Sequence, residues 1–399
     1  MKKSKISVAI IAITGLILSV SVMAGGNSER YYISGSDFGL DLVQTMVGTS
    51  HHEFDNGFTA DLSPGQVKAV EVLGAILGLS VEPVQLYQVT APPSACSPWP
   101  ECKNGGGDGG TRTYYPTDQT PWGIEMVYNN PAIGPTSGGL GIDVAVLDTG
   151  VYKDHLDLFR RVKQCKDFTK RGVQNGCQDG YGHGTHVAGT ILADGGADGL
   201  GIYGVAPAAD LWAYKVCGNS GMCWADDIAI AIRYAGDQGA EIVSMSLGGD
   251  TQSSLIRDAI DYAVGLGALV VAAAGNDGPD LGSIDYPGAN AKVVAVGAID
   301  VAKQVPDWSS RGINDGDYIV EEKEVEFAAP GVSVESTWNS GGYYVADGTS
   351  MATPHVSGLA AKLWQGTAAA TRNYLHNLAE DILPIGDDPA TGFGLPYVR

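Results

Sequence analysis

From about Pro121 to the C-terminus, short uninterrupted apolar runs alternate with segments whose apolar positions recur at helical spacing. The runs are IDVAVLDTG, LWAYKV, EIVSMSLGG, ALVVAAAGN and VVAVGAI, with helical patterns such as ADDIAIAIRYAGDQ between them. Strands without polar alternation are covered on both faces, and the intervening helices supply the covers, so the pattern predicts an α/β unit built on a parallel sheet. In such sheets binding sites gather at the carboxyl ends of the strands. Upstream the pattern changes. Residues 31–89 hold strand-like YYISG, then HHEFDNGFTADL, the helical stretch SPGQVKAVEVLGAI and strand-like VEPVQLYQV, which together predict a small α+β module. Residues 90–117, with NGGGDGGT at their centre, read as an exposed, protease-sensitive linker.

Composition narrows the class. With 399 residues the chain is long enough for one large core and an accessory module. Its 56 glycines and 17% charged residues describe a loop-rich globular chain. The formal net charge of −21 argues against nucleic acid as a partner and suits divalent cations held by oxygen ligands. The opening MKKSKISVAIIAITGLILSVSVMAGG sets lysines before an apolar stretch that ends in small residues, the pattern of a secretory signal cut near Ala24. A retained anchor fits less well, because Ser, Thr and Gly interrupt the stretch and its end has the A-x-A character of a cleavage site. The expected location is therefore extracellular, with no membrane association after cleavage. An oxidising compartment lets the six cysteines pair. Proximity along the chain suggests Cys96–Cys102, Cys165–Cys177 and Cys217–Cys223, from fifteen pairings that are open in principle. None of the spacings is C-x-x-C, which disfavours a metal site.

The chemistry-bearing residues stand where strands end. Asp148 closes IDVAVLDTG, and a carboxylate at that edge is costly unless something uses it. In GHGTHVAGT the small neighbours of His186 let an imidazole approach another backbone closely; a metal pair made of His183 and His186 lacks helical i, i+4 spacing and a third ligand. Asn276 follows VVAAAG at another strand end and could donate to a developing oxyanion. Ser350, in GTSMATPH, sits where a loop becomes a helix. Each alone has a plain structural role: turn cap, core histidine, turn, first-turn hydroxyl. Together and in this order they form an acid, a base, an amide donor and a nucleophile. An esterase would need G-x-S-x-G, and the chain has G-T-S-M-A.

The segments VLDTGVYKDHLDL, GHGTHVAGT, AAAGNDG and GTSMATPHVSGLAA resemble the motifs of subtilisin-like serine proteases, and the resemblance covers the chain from Pro121 to its end. QCKDFT, YGVAPAADLWAYKV and STWNSGGY are also similar to sphericase and its cold-adapted, calcium-binding relatives. The resemblance implies a three-layer αβα fold with a mostly parallel central sheet, preceded by a small α+β pro-domain. It implies a signal peptide over 1–24, a propeptide over 25–91, a linker with the processing region over 92–117 and a peptidase domain over 118–399. The implied activity is that of a secreted serine endopeptidase, a monomer made as an autoprocessed zymogen and acting on protein and peptide substrates. Its own propeptide would serve as folding helper and inhibitor. The catalytic set is Asp148, His186 and Ser350, with Asn276 in the oxyanion hole. Ser246, Leu247 and Gly248 on one side and Gly218 to Gly221 on the other would flank an extended substrate, with Trp224 as an aromatic wall. Asp285 would lie on the floor of the primary specificity pocket, where it either selects Lys or Arg or turns to solvent or a cation. Calcium would be held by Asp157 and Asp198 with the carbonyls of Gly196, Leu200 and Ile202, and Asp118 or Gln119 would add one more ligand.

Overall fold

The alternation of apolar runs and helical segments becomes a layered sheet in the computed structural model, which describes residues 28–89, 112–382 and 385–399. The expected signal segment, the Cys96–Cys102 pair and most of the linker lie outside the described residues. The chain divides into two compact units: residues up to Gln85 with Lys170–Gly172, and Leu86–Thr169 with Val173–Arg399.

The smaller unit runs β1 (Glu29–Gly35), α1 (Asp37–Val47), β2 (Glu53–Phe54), β3 (Gly57–Leu62), α2 (Pro64–Leu77) and β4 (Leu79–Pro83). Its antiparallel sheet has the order β2-β3-β1-β4. Helix α2 starts where the sequence S-P-G-Q dictates: the Ser63 hydroxyl accepts from the Gln66 N–H, and the Gln66 side-chain oxygen accepts from the Ser63 N–H at 2.9 Å. Pro64 occupies the first helical position, where its missing N–H costs nothing. Val70 and Leu73 of this helix close the core formed by Ile33, Phe58 and Leu62. This is the small α+β module that the hydrophobic pattern predicts.

The larger unit contains β5 (Leu86–Val89), α3 (Trp122–Val127), β6 (Asp143–Asp148), β7 (Val162–Asp167), β8 (Gln174–Asn175), α4 (His183–Leu192), β9 (Asp210–Lys215) and β10 (Met222–Trp224). It continues with α5 (Ala225–Gln238), β11 (Ile242–Met245), β12 (Leu247–Gly248), α6 (Ser254–Gly265), β13 (Leu269–Ala273) and β14 (Val293–Ile299). It ends with β15 (Phe327–Pro330), β16 (Val334–Thr337), β17 (Tyr343–Ala346), α7 (Thr349–Lys362), α8 (Ala368–Leu378), β18 (Ala379–Glu380) and β19 (Leu395–Pro396). Its main sheet has eight strands in the order β15-β14-β13-β11-β6-β9-β7-β8, parallel except for β8 on β7.

Because side chains alternate across a strand, Val144, Val146, Leu211, Val294 and Val296 face one way, where they pack with Val187 and Ile191 of α4 and Met351, Val356 and Leu359 of α7. The intervening positions, Ala145 and Leu147 among them, are equally buried and turn toward the layer in which α5 packs on α6. The result is the expected three-layer α/β architecture. Strand β6 has β9 on one side and β11 on the other, and later strands spread outward in both directions. At such a reversal the connections leave in opposite directions and open a crevice at the strand ends. Asp148 is the last residue of β6, and Ser246 follows the last residue of β11. The disulfides Cys165–Cys177 and Cys217–Cys223 both form, as proximity suggests.

Candidate active site

The carboxylate of Asp148, fully buried at the end of β6, accepts hydrogen bonds from Nδ1 of His183 at 2.8 and 2.9 Å and from the Thr149 N–H at 2.7 Å. The imidazole beside the acid is thus His183, and the expectation of His186 is corrected. His183 is the first residue of α4 and lies level with the strand ends, whereas His186 lies one helical turn deeper. There its Nε2 bonds to the carbonyls of Val334 and Tyr344 at 3.0 and 3.1 Å. Burial, with His183 nearby, pushes the His186 imidazole down to about 3, so it stays a neutral core residue. Two glycines make the His183 position possible. Gly182 turns the chain into the helix at φ 112°, and a Cβ on Gly184 would lie 2.1 Å from the Gly150 carbonyl oxygen and 2.9 Å from Asp148 Cβ. Nε2 of His183 is buried and has no hydrogen-bond partner among the described residues.

Sequence reasoning also missed Asp179, which holds this corner together. Its Oδ1 accepts from the backbone of Gly182 at 2.7 Å and from the Thr149 hydroxyl at 2.9 Å, and its Oδ2 accepts from the Thr185 N–H at 3.0 Å and hydroxyl at 2.6 Å. One buried carboxylate therefore fixes both the start of α4 and the residue after Asp148. An aspartate a few positions before a glycine-framed helix start was the available signal.

Ser350 stands in the first turn of the 14-residue helix α7 and is fully buried. Its hydroxyl donates to the Ser246 carbonyl at 3.0 Å, and the Ser246 hydroxyl donates to the Ser350 carbonyl at 2.9 Å. The second bond has a cause four residues downstream. Pro354 lies inside the helix and has no N–H to give that carbonyl, so a side chain from the strand end takes the vacant acceptor. Asn276 is held by its oxygen, which accepts from the Thr349 N–H at 3.0 Å and hydroxyl at 3.1 Å, so what this amide can give an incoming group is its nitrogen-borne hydrogens.

Strand β5 lies antiparallel between β10 and β12, with Gln88 opposite both Met222 and Gly248. The Ser246–Leu247–Gly248 run borders β5 on one side, with Leu247 opposite Val89 and Gly248 opposite Gln88. On the other side the pairing runs through Met222–Trp224, and Gly221 adds its carbonyl, accepting from the Val89 N–H at 3.0 Å. Gly218 is corrected: it closes the turn stapled by Cys217–Cys223, its N–H bonding to Met222 and its carbonyl accepting from Gly221. Trp224, half-buried, stands opposite Leu86 and starts α5.

Asp285 does not turn to solvent. It is 4% exposed, and Cβ atoms built on Gly248 and Gly275 would come within 2.7 and 2.6 Å of its Oδ2. Burial pushes its carboxyl up to about 8, and the charges of Asp277 and Asp250 push the same way.

Residues 139–394, a span that holds Asp148, His183, Asn276 and Ser350, match the profile of the Subtilase family, Peptidase_S8. The chain belongs to the subtilase family. This subtilase is a serine endopeptidase of that family, and it is 45% identical to "Subtilisin" of Bacillus sp. (strain TA39) over 98% of both chains. It is 40% identical to "Subtilisin Savinase" of Lederbergia lenta over 66% of its own length and 92% of the relative's. Among solved structures it is similar to "Sphericase", with a TM-score of 0.69 at 50% identity over 71% of this chain and 99% of that one. A second similar structure, "S41 Psychrophilic Protease", has a TM-score of 0.68 at 49% identity over the same shares.

The predicted calcium loop of the subtilase brings Asp157 and Asp198 together, but around a guanidinium. Arg112 Nη2 donates to Asp157 Oδ1 at 2.6 Å and to Asp198 Oδ1 at 2.9 Å, and its Nε donates to Asp198 Oδ2 at 2.9 Å. These bonds hold the Asp198 carboxyl below the usual range. The chemistry of the set fits a hard cation: two carboxylates and a glycine-rich run of carbonyls, already holding a positive group. The carbonyl of Gly195 joins Arg112 at 3.3 Å, while that of Ile202 accepts from Gly195 N–H and that of Gly196 accepts from Gly199 N–H. Leu200 is exposed and gives its N–H to Asp198. Asp118 is corrected: it is exposed and caps Thr120, and Gln119 reaches the loop instead, its amide nitrogen donating to the carbonyls of Gly199 and Gly201 at 2.7 and 3.1 Å.

Proposed function

We propose that this subtilase is a secreted endopeptidase, made as a zymogen, that hydrolyses peptide bonds through an acyl-enzyme on Ser350. Support comes above all from the segment Leu86–Val89, which lies as the middle strand between the two edges expected to grip a substrate and leads directly to residue 90. Main-chain pairing on both sides makes such binding largely independent of side chains. The expected self-cleavage lies between Thr90 and Asp118, and residues 25–91 act as the propeptide. Residues 1–24 direct export, and among the described residues no helix is long and apolar enough to cross a membrane.

In this reading Asp148 keeps a proton on Nδ1 of His183, which leaves the Nε2 lone pair to take the proton of Ser350 Oγ. The Oγ–C bond forms while the carbonyl electron pair moves onto oxygen. That oxyanion meets the Ser350 N–H at the positive end of α7 and the Asn276 amide nitrogen. Collapse of the adduct breaks the C–N bond, the amine leaves with the proton from His183, and water repeats the sequence on the acyl-enzyme. Asp285 sets a preference for Lys or Arg before the scissile bond. Calcium would be held by Asp157, Asp198 and loop carbonyls and would tie the loop down.

The test is stoichiometric labelling by a serine-directed phosphonate with peptide mapping, run beside Ser350→Ala. The label is expected on Ser350, and the variant should accumulate the unprocessed chain. Label on another serine, or normal trimming of the variant, would overturn the reading.

A further inference from the structure

The carboxylates to which the calcium reading points are already served by a cation that the chain carries itself. The Arg112 side chain is 3% exposed and that of Asp157 is 0% exposed. The guanidinium engages Asp157, both oxygens of Asp198 and the Gly195 carbonyl, and its Nη1 bonds to the Tyr343 hydroxyl. The other Asp157 oxygen accepts from the Ile202 N–H at 3.0 Å and from the Tyr343 hydroxyl at 2.7 Å. A planar fork on two carboxylates is a strong and directional arrangement. Calcium needs six to eight oxygens at about 2.3–2.6 Å, so it cannot share Asp157 Oδ1 and both Asp198 oxygens with this fork. Space is closed as well: a Cβ on Gly196 would stand 2.3 Å from Arg112 Nη2. Gln119, for its part, turns a donor toward the loop carbonyls, the orientation a cation would reject.

Residue 112 falls within the stretch 92–117 in which processing is expected. We propose that Arg112 is a tethered occupant of the Asp157–Asp198 loop, which keeps calcium out of the unprocessed chain, and that the ion enters once the segment carrying residue 112 has been removed. The inference rests on the calcium reading of this loop. Attachment to the same chain gives the guanidinium a high effective concentration, which bulk calcium must overcome. The precursor then has a loop stabilised without metal, and the finished enzyme has one stabilised with it.

Calorimetric titration with calcium chloride tests this on the full chain kept intact by Ser350→Ala, with and without Arg112→Gln, and on Arg112→Gln carrying Asp198→Asn. We expect Arg112→Gln to tighten calcium binding by about tenfold or more, and the added Asp198→Asn to abolish that gain. Calcium should raise the Tm of the Arg112→Gln chain and leave that of the Arg112 chain unchanged. Arg112→Lys, which keeps the charge but loses the fork, serves should the Gln variant fail to fold, and its affinity should exceed that of the Arg112 chain. Equal affinity with and without Arg112 would overturn the proposal while sparing the calcium reading. Absence of binding in every chain would overturn both.

Discussion

Asp285→Asn tests whether a buried carboxyl selects the side chain that enters the cleft. In the folded chain this group titrates at about 8, raised chiefly by burial. A cationic side chain can use the site only once the proton is gone, and one pH unit below the midpoint ionisation costs about 1.4 kcal/mol. Roughly a tenth of the sites are ionised at pH 7 and roughly nine-tenths at pH 9. The ratio of kcat/KM for a peptide with Arg before the scissile bond to that for the matched Phe peptide should therefore rise about tenfold between those values and level off above them. Any pH effect on a catalytic step common to both substrates cancels in the ratio. Asp285→Asn should make the ratio flat with pH. The same group makes a stability prediction. An acid whose folded value lies above its unfolded value stabilises fully below the unfolded value, near 4, and loses that contribution as pH rises through about 8. The Tm of Asp285→Asn should consequently fall less than that of the parent between pH 5 and pH 9. A parent ratio that stays constant from pH 7 to pH 9, or a clear preference for Phe over Arg at pH 9, would refute the reasoning.

His183→Ala should lower kcat by at least about 10²–10⁴-fold, whereas His186→Ala should still accept a phosphonate at Ser350 while losing about 1–3 kcal/mol of stability, because the buried Val334 carbonyl and the half-buried Tyr344 carbonyl lose their donor; denaturant melts and labelling separate the two. Asp179→Ala, which strips the buried acceptor from the start of α4, should cost a similar amount in urea unfolding and slow turnover without changing which serine is labelled. A chelator should lower the Tm of the processed enzyme and leave the intact Ser350→Ala chain unmoved; a matching drop in both would count against the role given to Arg112. Reduction of Cys217–Cys223 should cost little global stability, since a six-residue separation removes little chain entropy, but should weaken binding of peptides that lie against Met222–Trp224.

What the sequence discloses depends on how local the cause is. Apolar runs such as IDVAVL name the strands because burial on both faces admits nothing else, and S-P-G-Q marks the start of α2 because capping is settled within four residues. Asp148, Asn276 and Ser350 could be picked out because each stands at the end of a strand or the start of a helix. The choice between His183 and His186 was harder: both lie in one glycine-framed run, and which ring meets the acid depends on the depth of the helix relative to the strand ends, a tertiary quantity. Arg112 was hidden for a related reason, since its partners Asp198 and Tyr343 lie far along the chain, whereas Asp179 carried a local signal in its contacts with Gly182 and Thr185. Gly218 lies a few residues short of the paired edge, because that edge begins at Gly221, on the returning arm of the turn that Cys217–Cys223 staples.

The exchange of bonds between Ser246 and Ser350 depends on a residue that touches neither hydroxyl. A proline inside a helix is ordinarily damage; here, by withholding one hydrogen, Pro354 invites the cleft wall to clasp the helix. The edge proposed to receive a peptide and the alcohol proposed to attack it are therefore tied to each other. An alanine at 354 would restore an ordinary helical bond and set up a rival for that clasp, so a change that improves the helix on its own terms would loosen the alignment on which turnover depends.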